Sequence, residues 1–246
     1  MAIALAGNVF WANIGNILSS KLFQFIQGFV GENRLQKLDE YEAGKRKITV
    51  GTAAKTRIGL THTEILVAAA GALLIGIASL IAIRSSFAVD AVLLYVITAG
   101  VAVTVHELGH RYAAHNQKVQ TEVKFWELGT VIMFFTGWFA GNVFAQPHRT
   151  LREESKEPDH QVEGKISLAG PVISICLGIL TVPFLFVGGD IGRIASTLLM
   201  MTLLIAVYHL MPFDPMDGKA ILQWNKKILI VTLVPLLAVY YYLFLL

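Results

Sequence analysis

The sequence predicts an all-α polytopic membrane protein with five or six transmembrane helices. Three observations point there. Hydrophobic residues make up 55% of the 246 and charged residues only 15%, against about 25% charged in soluble domains. The apolar residues fall in blocks long enough to cross a bilayer. The blocks are separated by polar segments that collect the basic residues.

Residues 1–30 are apolar but interrupted by Asn8, Asn13, Asn16, Ser19, Ser20 and Lys21, which suits a weak span or an interfacial helix. No basic run precedes them, so a cleaved signal peptide is not expected. Residues 31–60 carry Lys45-Arg46-Lys47, Lys55 and Arg57 and read as an aqueous linker. The chain thus divides into an N-terminal segment, 1–60, and a membrane domain, 61–246. The first firm span covers 65–83, with Thr61 and Glu64 spaced as a capping box at its start. The second covers 91–113. Val119 to Phe135 is rich in β-branched and aromatic residues with partial alternation, and predicts one or two strands. Gln146 to Glu163 is charged and reads as aqueous. Spans three, four and five cover 165–187, 194–211 and 228–246, with Pro183 and Pro235 as kink positions that membrane packing tolerates. No stretch is expected to hold a further soluble domain, and the net charge of +3 gives no reason to expect a nucleic-acid partner.

The basic residues of 31–60 and 114–163, with Lys219, Lys226 and Lys227, share one side of the membrane, which the positive-inside rule makes cytoplasmic. The short turns 84–90 and 187–193 face the other. No internal repeat is evident, which speaks mildly against a transporter.

The second span ends in His106-Glu107-Leu108-Gly109-His110. Ionisable residues at membrane depth are costly and mark functional sites. Residues four apart share a helix face, so His106 and His110 can chelate one metal ion. Glu107, about 100° around the helix, can take a proton from a water there without being a ligand. Zinc suits this set and lowers the pKa of such a water to about 7. The lone Cys176 excludes a thiolate cluster, so further ligands must be His, Asp or Glu. A catalytic zinc takes three protein ligands. Asp217, in Met211-Pro-Phe-Asp-Pro-Met-Asp-Gly218, is the leading third ligand and Asp214 its competitor. Both follow span four on the same side as His110. His115 points elsewhere on its helix and His62 lies before the first span; His148 and His160 are expected to be solvated in a hydrophilic loop, as is the Glu153, Glu154 and Glu157 cluster, and none of these is expected as a ligand.

HELGH on a transmembrane helix, followed by Pro212-x-x-Pro215-Met-Asp217-Gly218, resembles the site-2 protease family of intramembrane zinc metalloproteases over residues 65–225. The resemblance implies His106, His110 and Asp217 as zinc ligands and Glu107 as catalytic base. It implies that Ala169 to Ser174 is the central Gly-Pro motif, which opens its helix, with Gly170, Pro171 and Ser174 on the substrate side. It also implies a membrane-associated β-hairpin between the first two motifs, matching 119–135. The family's PDZ and CBS domains have no counterpart in this sequence. One position departs: the family has Asn where this chain has His209. His209 can still donate a hydrogen bond to substrate or oxyanion, and can also approach the zinc or pack as a core residue.

The expected function is hydrolysis of peptide bonds in transmembrane segments of other proteins, within the lipid bilayer of a prokaryotic cell and on its cytoplasmic side. An exposed edge near 119–135 is expected to hold the unwound substrate as an added strand. Thr104, Gly109 and Ser174 are candidates to line a water path. The alternatives are a CAAX-type membrane metalloprotease, using Glu153 or Glu157 as third ligand; a metal transporter; and a catalytically inactive zinc-binding membrane protein.

Overall fold

The computed structural model describes residues 60–144, 146, 148–152, 159–213 and 216–244. Residues 1–59, and so the expected N-terminal helix and linker, lie outside the described residues, as do Asp214, Glu153, Glu154 and Glu157.

The described chain is mostly helical. Helices α1 (His62–Ala82), α2 (Val89–Asn116), α4 (His160–Thr181), α5 (Gly189–His209) and α7 (Lys226–Phe244) are long and apolar enough to cross a membrane. This is the build of a multi-pass membrane protein. Between α2 and α4 lie β1 (Thr121–Phe125), α3 (Glu127–Ala140) and β2 (His148–Arg152). A short α6 (Asp217–Trp224) separates α5 from α7.

Helix α1 starts as its sequence predicts. Thr61 caps it, and the Thr61 side chain and the Glu64 side chain each satisfy the other residue's backbone N–H. Helix α2 has 28 residues, about 42 Å, more than the ~30 Å hydrocarbon core. It packs on α1, α4 and α5. Helix α4 runs through Pro171 without interruption; the expected opening at the Gly-Pro motif is not present. Pro183 instead falls in the 3-10 turn Val182–Phe186 that closes α4. Pro235 lies inside α7.

The two-stranded sheet stands where a hairpin was expected, but its strands differ from the sequence reading. Only Thr121–Phe125 of the 119–135 stretch is extended. The rest is α3, and the second strand comes from the segment read as aqueous. The strands pair antiparallel, Val123 opposite Thr150 and Phe125 opposite His148. Composition favoured strand in 127–135 because Val, Ile and Phe suit a pleated surface. Packing decided otherwise: Gly129, Met133 and Gly137, spaced by four, form one buried helical face. That face lets α3 lie against α1. With 14 residues, about 21 Å, α3 is short of a span. Gly141, in the left-handed conformation, ends it.

One carboxylate joins three elements. Glu64, buried at the start of α1, forms an ion pair with Arg111 of α2 and accepts the backbone N–H of Val123 on β1 (2.9 Å). That N–H therefore points away from β2, so Val123 and Thr150 form a non-hydrogen-bonded pair. The outer edge of β1 is closed at Val123. The backbone groups of His148, Thr150 and Arg152 face the outer edge of β2.

Candidate metal centre

Helix α2 carries His106 and His110 one turn apart, facing α4. His106 lies about 26 Å from the start of the helix and about 15 Å from its end, so the pair is deep in the bundle. Both are fully buried. Each ring is fixed from behind by α4: His106 Nδ1 lies 2.9 Å from Ser174 Oγ, and His110 Nδ1 lies 2.8 Å from the Ile166 carbonyl oxygen. A carbonyl can only accept, so His110 carries its proton on Nδ1 and its Nε2 lone pair faces inward. The two Nε2 atoms stand 3.0 Å apart.

Asp217 reaches the same point from the first turn of α6. Its Oδ2 is 3.2 Å from His110 Nε2 and 3.9 Å from His106 Nε2. The tight return after α5 makes this possible. Gly218 sits so close to the carbonyls of Leu210 and Met211 that a β-carbon there would overlap them. Burial raises the carboxyl pKa of Asp217. The neighbouring imidazoles, His110 foremost, more than offset this and hold it well below the ordinary range.

His209, the last residue of α5, closes the group. Its Nδ1 is 2.6 Å from Asp217 Oδ2 and its Nε2 is 3.0 Å from Gln146 Oε1. One ligand atom from each of His106, His110, His209 and Asp217 lies within 4.8 Å of the others, and all four residues are buried. The donor set, imidazole plus carboxylate, suits zinc. Two nitrogens at 2.0–2.1 Å from one tetrahedral zinc stand about 3.3 Å apart, close to the observed spacing. The residues fit the ion.

Glu107 is fully buried beside this group and outside it. Its Oε2 accepts a hydrogen bond from Thr150, and its Oε1 lies 3.5 Å from His148 Nε2. A small cavity of about 20 Å³ is lined by Trp126, His148, Thr150, His209 and Asp217, among others. That is room for about one water molecule.

The structure thus gathers His106, Glu107, His110, His209 and Asp217. Gly170 and Pro171 are buried on α4, with Gly170 directly against the His110 and His106 rings. Ser174 stands behind His106. Gly109 packs on Ala169 of α4, while Thr104 lines an apolar groove between α1 and α2, away from the cluster. His62 and His160 are exposed, and His115 is not in the group. The expectation of a solvated His148 is overturned: it is buried against Glu107, because β2 pairs with β1 over the end of α2. Sequence reasoning also missed Gln146 and Thr150. The one available signal was the two-residue spacing of His148 and Thr150, which shares a face in a strand.

A multi-pass membrane protein with a buried His/Asp cluster, a candidate metal site, is the class that this fold and site define. The chain is 25% identical over 162 residues to a protein of Methanocaldococcus jannaschii described as a candidate zinc metalloprotease. The alignment covers 64% of this chain and 84% of that protein, a distant homology. No family profile and no solved structure matches the chain.

Proposed function

We propose that the protein is an intramembrane zinc endopeptidase that hydrolyses peptide bonds within transmembrane segments of other membrane proteins. The observation that carries this reading is the convergence of His106, His110 and Asp217 beside a buried carboxylate, Glu107, inside a bundle of membrane-length helices. The distant relation to a described zinc metalloprotease supports it. The distribution of basic residues favours a site opening toward the cytoplasm.

A zinc ion held by His106, His110 and Asp217 would polarise the scissile carbonyl and acidify the attacking water. Glu107 takes the proton of that water and returns it to the leaving amine as the C–N bond breaks. Ser174 and the Ile166 carbonyl hold the imidazoles so that their Nε2 atoms converge. A substrate helix hides its amides in its own hydrogen bonds and must unwind first. The extended segment then adds to a sheet edge. With β1 closed at Val123 by Glu64, that edge is the outer side of β2, next to Glu107.

A second reading, a catalytically inactive zinc-binding protein, draws on His209. Four protein ligands would close the coordination sphere, as in structural sites. The position of Asp217 within the cluster favours the proposed reading over the CAAX-type arrangement.

Metal analysis and cleavage of single-span substrates in vesicles test the proposal. Wild type should hold one zinc and cleave. Glu107→Gln should keep zinc and lose cleavage; Asp217→Ala should lose both. Cleavage by Glu107→Gln at the wild-type rate would end the mechanism, and a zinc-loaded wild type inert on every substrate would favour the inactive reading.

A further inference from the structure

We propose that His148 is a positioning residue for the Glu107 carboxylate, a role the sequence motifs do not assign to it. The inference rests on the peptidase reading above. Strand β2 places His148 and Thr150 two residues apart, so both side chains leave the same face. They address the two oxygens of one carboxylate: Thr150 donates to Oε2, and His148 Nε2 stands 3.5 Å from Oε1.

The burial of these groups gives the arrangement its meaning. His148 and Glu107 are almost wholly removed from solvent, at 2% and 0% exposure. Among the described residues, neither ring nitrogen of His148 has a hydrogen-bond partner, nor has Glu107 Oε1. Leaving such groups unsatisfied is costly. A shift of a few tenths of an ångström turns the facing pair into a hydrogen bond. Hydrogen bonds at catalytic groups are often long before substrate arrives and tighten in the complex. Closure of His148 Nε2–H onto Oε1 leaves the carboxylate with lone pairs still free to accept the water proton.

His148 is also set where the reaction needs a donor. It lines the water-sized cavity together with Thr150, His209 and Asp217. His209, the residue that the motif offers for such contacts, has both nitrogens engaged, by Asp217 and Gln146. Among the described residues, His148 is the imidazole lining this cavity whose nitrogens have no hydrogen-bond partner. A substrate strand added along β2 would thus be held by the same strand that aims the base.

The test uses the full-length, zinc-loaded protein in vesicles, as wild type, His148→Ala and His148→Gln. Zinc content, thermal unfolding, kcat and KM are measured. So is the carboxylate stretching band of Glu107, isolated by subtracting the infrared spectrum of Glu107→Gln. His148→Ala should keep zinc and melting temperature, lower kcat about 10- to 100-fold with KM close to wild type, and shift the band. His148→Gln, which keeps a donor, should recover most of kcat and return the band. Wild-type kcat and an unshifted band in His148→Ala would overturn the proposal. So would equal impairment of both variants with the band unmoved, which is the signature of packing alone. If wild type cleaves nothing, the peptidase reading fails, and the band still decides the His148–Glu107 contact.

Discussion

Gly170 lies against the His110 imidazole with no room for a methyl group between them: a β-carbon there would overlap Nε2 of His110 and crowd Nε2 of His106. The third residue around the cluster on α4 is therefore defined by what it lacks. Gly170→Ala should weaken zinc binding at least about tenfold while leaving helical content unchanged. Equilibrium zinc titration beside circular dichroism checks this, and unaltered affinity would contradict the packing described.

His209 tests whether the site is open or closed. On the proposed reading, its contacts to Asp217 through Nδ1 and to Gln146 through Nε2 orient the carboxylate from outside the coordination sphere. His209→Asn should then retain one zinc per chain with affinity lowered about 10- to 100-fold. Complete loss of zinc from that variant would make His209 a ligand and favour the closed, inactive site.

On the proposed reading, the outer edge of β2, unpaired among the described residues, is where substrate binds. Arg152 presents its backbone N–H outward, away from β1. Arg152→Pro removes that donor without touching the ladder to β1. Cleavage should fall through a higher KM, with zinc content intact. Unchanged KM would place the substrate elsewhere.

Glu64 is expected to be the costliest single charge to remove. Glu64→Gln leaves Arg111 buried without its partner, a loss of about 3–5 kcal/mol by analogy with other buried pairs. Thermal unfolding in a fixed detergent measures it. Replacing both partners with apolar residues should recover part of the loss, since no orphaned charge then remains.

What was legible in the sequence had a local signature. The long helices follow from runs of apolar residues, and the α1 cap from Thr61 and Glu64. His106 and His110 follow from a spacing of four. Asp217 was reachable because two prolines and a glycine announce a sharp return at the end of α5, and His209 because it stands where the family motif has Asn. The polar partners were not legible. Nothing local separates a buried His148 from a solvated one; its place depends on strand pairing between segments some 25 residues apart. Helix α3 was misread for the same reason: its Val, Ile and Phe content speaks for strand, and only contact with α1 turns the spacing of Gly129, Met133 and Gly137 into a helix face.

The triple duty of Glu64 also yields a gauge. The Val123 amide can exchange its proton with solvent only when that one carboxylate lets go. Its exchange rate therefore counts how often the whole strand assembly comes unlatched from α1. Slow exchange in the resting protein that quickens as substrate enters would mark the sheet as the part that yields; a rate indifferent to substrate would mark it as fixed scaffold, with opening assigned to the helices.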